Sequence, residues 1–147
     1  MIASGTNREF NHQITSATSP DAIWALWMDV PGWKHWDQGL ADASAELPLS
    51  LGSRGIIKPK SGPDSPFEIT EFVEGKSYAF QTKLPAAKLQ VRRFIVSEQP
   101  TIFRHEVSFL GPLAWLWGAV LGRVFRTALP PTMDALEALA GNQGKST

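Results

Sequence analysis

Hydrophobic and polar residues change their spacing twice along this chain, and each change marks a new kind of element. Residues 9–16 alternate, placing Phe10, His12 and Ile14 on one face, which predicts a strand. Ser19-Pro20-Asp21 then supplies a hydroxyl N-cap, a proline at the first helical position and an acid in the first turn. Ile23, Trp24, Leu26 and Trp27 give the ensuing helix an apolar side, and Pro31-Gly32 closes it. Residues 33–36 are expected to form a second short helical turn. Six further strands are predicted near 39–47, 53–60, 66–73, 77–83, 87–97 and 101–109. Gly52, Gly62-Pro63, Glu74-Gly75, Pro85 and Gln99-Pro100 punctuate them. No helix intervenes between these strands, so the sheet should be antiparallel. From Pro112 the period becomes helical: Leu113, Leu116, Trp117, Val120, Leu121, Val124 and Ala128 form one stripe, with Arg123 and Arg126 off it. Pro130-Pro131 should break or kink this helix. Met133, Leu136 and Leu139 resume its apolar face, and residues 141–147 should fray.

The resulting order is one strand, two short helices, six strands and one long helix. This is an α+β arrangement in which a seven-stranded antiparallel sheet must have its apolar face covered. Residues 112–140 are the one segment long and apolar enough to cover it. A curved sheet and a helix diverge at one end, and the wedge between them is a natural site for a mostly apolar pocket with a few orienting polar groups. No repeat or linker interrupts the chain, so residues 1–147 read as a single domain with an ordered core over 8–140.

Three stretches resemble a known family. They are Ser19-Pro20-Asp21-Ala22-Ile23-Trp24 with Asp29 and Trp33 to Asp37; Phe67-Glu68-Ile69-Thr70-Glu71; and Thr101 to Val107 running into Gly111-Pro112-Leu113. Gly122-Arg123 and Leu129-Pro130 add to the likeness. Over residues 8–140 the chain resembles the polyketide cyclase/dehydrase and lipid-transport group of the START/Bet v 1-like (SRPBCC) superfamily. The resemblance implies a helix-grip fold whose sheet and terminal helix enclose a cavity. It also implies an apolar ligand such as a lipid, sterol or polyketide, with aromatic ring closure catalysed by a minority of members. The family carries no invariant catalytic set, so no catalytic residue transfers by motif.

Composition narrows the chemistry. The 147 residues carry zero formal net charge, with no basic run to meet nucleic acid or an anionic surface. There is no cysteine, which excludes disulfides, thiolate metal sites and a cysteine nucleophile. No glycine-rich phosphate loop or nucleotide fingerprint is present, so no cofactor is expected. Three histidines without HxH or HxxxH spacing predict no metal site. The first ten residues lack the apolar core of a signal peptide. The most apolar run, 110–122, falls short of the roughly 20 residues that span a bilayer. A soluble, cytoplasmic protein is therefore expected. Six tryptophans and eight phenylalanines stand out as material for a core or for cavity walls.

Alternation picks out the inward polar residues. Phe103, His105, Val107 and Phe109 share one face of their strand, so His105 points in with them. Leu89, Val91, Arg93 and Ile95 share a face of the preceding strand, which would set Arg93 beside His105. A competing register would put Arg92 there, with Phe94 inward. His12 shares the face of Phe10 and Ile14 on a strand expected beside His105. Glu71 shares the face of Phe67 and Ile69, and Tyr78, Phe80 and Thr82 form a like set. Trp36 belongs to the turn at the expected rim, where His35 should be exposed, and Trp117 and Leu121 face the sheet from the long helix. The candidate ligand contacts are thus His12, Trp36, Phe67, Ile69, Glu71, Phe80, Arg93, Phe103, His105, Val107, Trp117 and Leu121. Trp24 and Trp27 are expected to pack the first helix.

Three functions stay open. The first is binding or transport of a small hydrophobic molecule. The second is a polyketide cyclase or dehydratase in which His105 moves a proton and Arg93 polarises a carbonyl or stabilises an enolate. The third is an interaction module with a filled core that presents Trp115 outward, in the manner of a homodimer contact.

Overall fold

The structure is a computed structural model that describes residues 4–5 and 8–145. Its elements run β1 (Ser4–Gly5), β2 (Glu9–Ser16), α1 (Pro20–Met28), a 3-10 helix (Val30–His35), β3 (Leu40–Ala45), β4 (Arg54–Pro59), β5 (Ser65–Val73), β6 (Ser77–Leu84), β7 (Ala87–Glu98), β8 (Thr101–Leu110) and α2 (Ala114–Lys145). The strands form one antiparallel sheet in the order β1-β2-β8-β7-β6-β5-β4-β3. The seven predicted strands are β2 to β8. The two-residue β1, which pairs with Asn11 and Phe10, extends the edge beyond them.

Local chemistry explains the joints. Ser19 holds extended backbone angles and its hydroxyl accepts from the Ala22 N–H, with Pro20 opening α1. At the other end of α1 the carbonyl of Trp27 accepts from the indole N–H of Trp33 at 2.9 Å, satisfying one of the helix's terminal carbonyls and tying the 3-10 segment beneath it. Trp117 plays a similar part for α2: its indole N–H donates to the carbonyl of Pro85 and fixes the start of the helix to the β6–β7 turn.

α2 differs from expectation in three respects. Pro130 and Pro131 do not break it, and it continues through 141–145, where fraying was expected; residues 146–147 lie outside the described residues. The two prolines remove backbone donors, yet Leu129 and Pro130 are buried beside Met133 and Leu136. Packing of that face holds the helical path against local preference. The buried face also differs from the predicted stripe. Ala114, Gly118, Gly122, Leu129, Met133, Leu136 and Ala140 turn inward, whereas Leu116, Val120 and Val124 are exposed. Arg126, expected off the apolar face, lies over the ring of Phe10 at 5.0 Å. Close approach explains the change. A Cβ on Gly122 would lie 2.6 Å from Phe10 Cζ, so the absent side chain lets the helix settle onto β2 along its small residues. Seated there, α2 packs on β2, β8 and α1 and only grazes β7.

Candidate functional site

That seating leaves the inner faces of β4 to β6 without α2 above them. Aromatic rings fill the space on one side only. Trp27 packs between Tyr78, Phe103 and His105, while Trp33 stacks on Phe67 and Phe80. The rest is open: a cavity of 1380 Å³ lies between the exposed inner face of the sheet, the β4–β5 hairpin and the N-terminal half of α2. Its walls are largely apolar and include Phe67, Phe80, Leu89, Val91, Val107, Trp117, Leu121 and Phe125. The space is generous for a small molecule, since ligand pockets usually occupy about 300–1,000 Å³.

Arg93 and His105 bring polar chemistry to this wall. They face each other directly in the β7–β8 register, and each lies on the cavity. Arg93 is only 5% exposed and His105 1%. The Arg93 guanidinium donates from Nη1 to the Tyr78 hydroxyl at 2.6 Å. It sits among rings, 4.9 Å from the centroids of both Trp33 and Trp36 and 5.4 Å from Phe80. Among the described residues no carboxylate forms an ion pair with it. Cation–π attraction of about 0.5–2 kcal/mol per ring offsets part of the cost of burying this charge.

His105 accepts from the Trp27 indole N–H at Nε2, 3.2 Å away. An accepting Nε2 carries no proton, so the neutral ring is protonated on Nδ1. Burial lowers its pKa well below the usual histidine value, and the charges of Arg93 and His12 act in the same direction. Burial also raises the pKa of Tyr78, opposed by the nearby Arg93 charge and its hydrogen bond. Both side chains are thus neutral around Arg93 at physiological pH.

No protein-family model matches this sequence, and no curated protein matches it. Solved structures do. The di-domain ARO/CYC StfQ from the steffimycin biosynthetic pathway superposes with a TM-score of 0.75 at 9% identity, over 95% of this chain and 53% of StfQ. The chain therefore spans about half the length of that protein. A protein from Mesorhizobium loti aligns with a TM-score of 0.72 at 17% identity, over 92% of this chain and 98% of its own. Norcoclaurine synthase from Thalictrum flavum, in complex with dopamine and hydroxybenzaldehyde, aligns with a TM-score of 0.61 at 11% identity, over 92% of this chain and 87% of that one. The fold is the helix-grip fold.

Within the helix-grip frame the predicted contacts divide. Phe67, Phe80, Arg93, His105, Val107, Trp117 and Leu121 line the cavity. Trp36, Ile69 and Phe103 are fully buried in the core beside it. His12 is the direct cross-strand partner of His105, half-buried and away from the cavity wall. Glu71 is placed otherwise than expected. A bulge between Ile69 and Glu71 adds a residue to β5 and reverses its alternation, so Phe72 turns inward against Trp24. Glu71 turns outward, where both its oxygens accept from Arg92 Nε at 3.0 and 3.2 Å. Arg92 therefore belongs to the outer face with Glu71 and Glu106, and Arg93 to the cavity. Trp27 packs α1 as expected and also holds His105, a role visible only once α1 is laid over β8. Trp33 and Tyr78 complete the box around Arg93. Tyr78 was legible as an inward residue, but the stacking of Trp33 had no signal in spacing.

The neutral His105 has a measurable consequence. Its folded pKa is depressed, so its contribution to stability is present above the unfolded value of about 6.5 and is lost as pH falls below it. The unfolded chain then takes up a proton that the folded chain refuses. Each pH unit should cost up to about 1.4 kcal/mol from this one group. Denaturant titrations from about pH 7.5 down to 5 should show this slope in the wild type and a slope one proton shallower in His105→Gln. Identical slopes would show that His105 titrates normally in the fold.

Proposed function

We propose that the protein binds a small hydrophobic molecule in the cavity between the sheet and α2. The single observation that carries this reading is a 1380 Å³ space with largely apolar walls and Arg93 and His105 on one side of it. An apolar body would be drawn in by burial, at roughly 25 cal/mol for each Å² removed from water, and the polar pair would orient it. The structural neighbours lend support, since norcoclaurine synthase forms a complex with dopamine and hydroxybenzaldehyde within the same fold and StfQ is an ARO/CYC protein of a biosynthetic pathway. A filled core, as an interaction module would need, does not fit the open space. Exposed Trp115, at 54%, lies outside the cavity wall.

A second reading, ring closure or dehydration of a polyketide-like chain, draws on the adjacency of Arg93 and His105. In that reading Arg93 stabilises a developing enolate. His105, neutral and with Nε2 engaged by Trp27, would act as a hydrogen-bond donor through Nδ1 rather than as an imidazolium acid.

Leu89→Trp tests the binding reading. Leu89 is half-buried on the cavity wall, so the larger ring enters free space. The neutral dye Nile red should bind the wild type with enhanced fluorescence and bind the variant at least about 10-fold more weakly, a loss near 1.4 kcal/mol. The unfolding midpoint should not fall. Equal dye affinity in the two proteins would place the binding elsewhere. Native mass spectrometry of freshly purified protein should also show a retained small molecule.

A further inference from the structure

Hydrogen-bonding capacity around Arg93 is strongly one-sided. A guanidinium carries five N–H donors and no acceptor. One nitrogen of Arg93 is satisfied by Tyr78, whereas Nε is buried without a hydrogen-bond partner. The indole N–H of Trp36, whose ring centroid is 4.9 Å from the guanidinium carbon, is likewise buried and unpartnered. Tyr78 spends its oxygen accepting from Arg93 and keeps its own O–H proton to give. His105 spends Nε2 accepting from Trp27 and keeps the Nδ1 proton. Donors therefore gather around Arg93: Arg93 and His105 line the cavity, Tyr78 and Trp36 lie buried behind them, and the acceptor atoms of the cluster are already engaged.

The carboxylates of the neighbourhood are occupied elsewhere. Glu71 and Glu106 bond Arg92 on the opposite face of the sheet. Asp37, at the cavity margin, accepts the backbone N–H of Gly39 and makes no ion pair with Arg93. Leaving buried donors unmet costs their desolvation, and more for a charged group. A ligand that supplies acceptors and a negative charge at this point would recover that cost through charge-assisted hydrogen bonds.

We infer that the ligand is an apolar carboxylic acid, bound as its anion with the carboxylate directed at Arg93 and the neighbouring donors and the hydrocarbon body in the cavity. The guanidinium fork suits the paired oxygens of a carboxylate, and the apolar walls suit an aromatic or aliphatic body. This rests on the binding reading above and specifies the chemistry of the bound molecule.

Displacement of Nile red separates the two statements. Naphthoate and naphthylmethanol share a skeleton and differ in the head group. Naphthoate should displace the dye from the wild type at a concentration at least about 10-fold lower than the alcohol requires. Arg93→Met should abolish that advantage while still binding the dye. Trp36→Phe, which removes the indole donor together with part of the buried ring, should reduce the advantage several-fold and serves if Arg93→Met does not fold. Equal displacement by acid and alcohol in the wild type, or an advantage that survives both substitutions, would overturn the carboxylate assignment and leave the pocket standing. Failure of the wild type to bind Nile red at all would overturn both.

Discussion

Replacing Trp27 by alanine is expected to lower the unfolding free energy by about 4 kcal/mol, the range typical of deleting a fully buried large ring. The ring has no exposed surface. It contacts Trp24, Tyr78, Phe103 and His105 at centroid distances of 5.8–6.2 Å. The indole N–H is also the partner of His105 Nε2, so its loss strands a buried acceptor as well as opening a void. Trp115→Ala provides the contrast. That side chain stands 54% exposed on the outer side of α2, and its removal should change stability by no more than about 0.5 kcal/mol. Urea titrations of both variants make the comparison. A Trp27→Ala loss below about 1 kcal/mol would mean that α1 does not clamp the sheet in the way described.

Gly55→Ala should also be strongly destabilising, by about 2 kcal/mol. Where the backbone angles suit alanine and space is free, glycine to alanine tends to stabilise by about 0.4–1 kcal/mol, because alanine restricts the unfolded state. Here the sign should reverse. A Cβ at position 55 would fall far inside contact distance of the Ser44 carbonyl oxygen and the Phe67 ring. The carbonyl belongs to the backbone of β3 and cannot yield without disturbing the β3–β4 pairing. Phe67 lies across the bare glycine from the neighbouring strand, its direct partner in the register, and forms part of the cavity wall. The variant should therefore lose stability and bind Nile red more weakly. A neutral or stabilised Gly55→Ala protein would show that β4 and Phe67 are farther apart than the structure places them.

Both substitutions act where the chain brings distant segments together, and such places divide what could be read in advance from what could not. Strand alternation carried the inward set of β8, because a strand's side-chain period is two whatever surrounds it. Counting apolar neighbours was enough to prefer Arg93 over Arg92, and the β6–β7–β8 registers place Arg93 between Tyr78 and His105. The same reasoning misplaced Glu71. One extra residue at the β5 bulge reverses the face of all that follows, and nothing in the local composition announces it. The predicted helical stripe of α2 was right for Trp117 and Leu121, which line the cavity, but wrong for Leu116 and Val120, for a related reason. Periodicity names the apolar positions, but the small residues Ala114, Gly118 and Gly122 decide which side can approach the sheet.

The sequence by itself determined the order and type of the seven main strands, the capped start of α1, the long terminal helix and the inward sense of His105, and it favoured Arg93 over Arg92 without deciding between them. These follow from interactions within a few residues, or from the fixed periods of strand and helix. Tertiary structure alone decided that α2 runs through Pro130 and Pro131, that Glu71 turns out, that Trp27 holds His105, and that Trp33 and Trp36 flank the Arg93 guanidinium. It also decided the cavity, which exists because α2 seats on β2 and β8 rather than over β4 to β6. These outcomes depend on contacts between segments far apart in the chain, where the shape and volume of packed side chains override local preference.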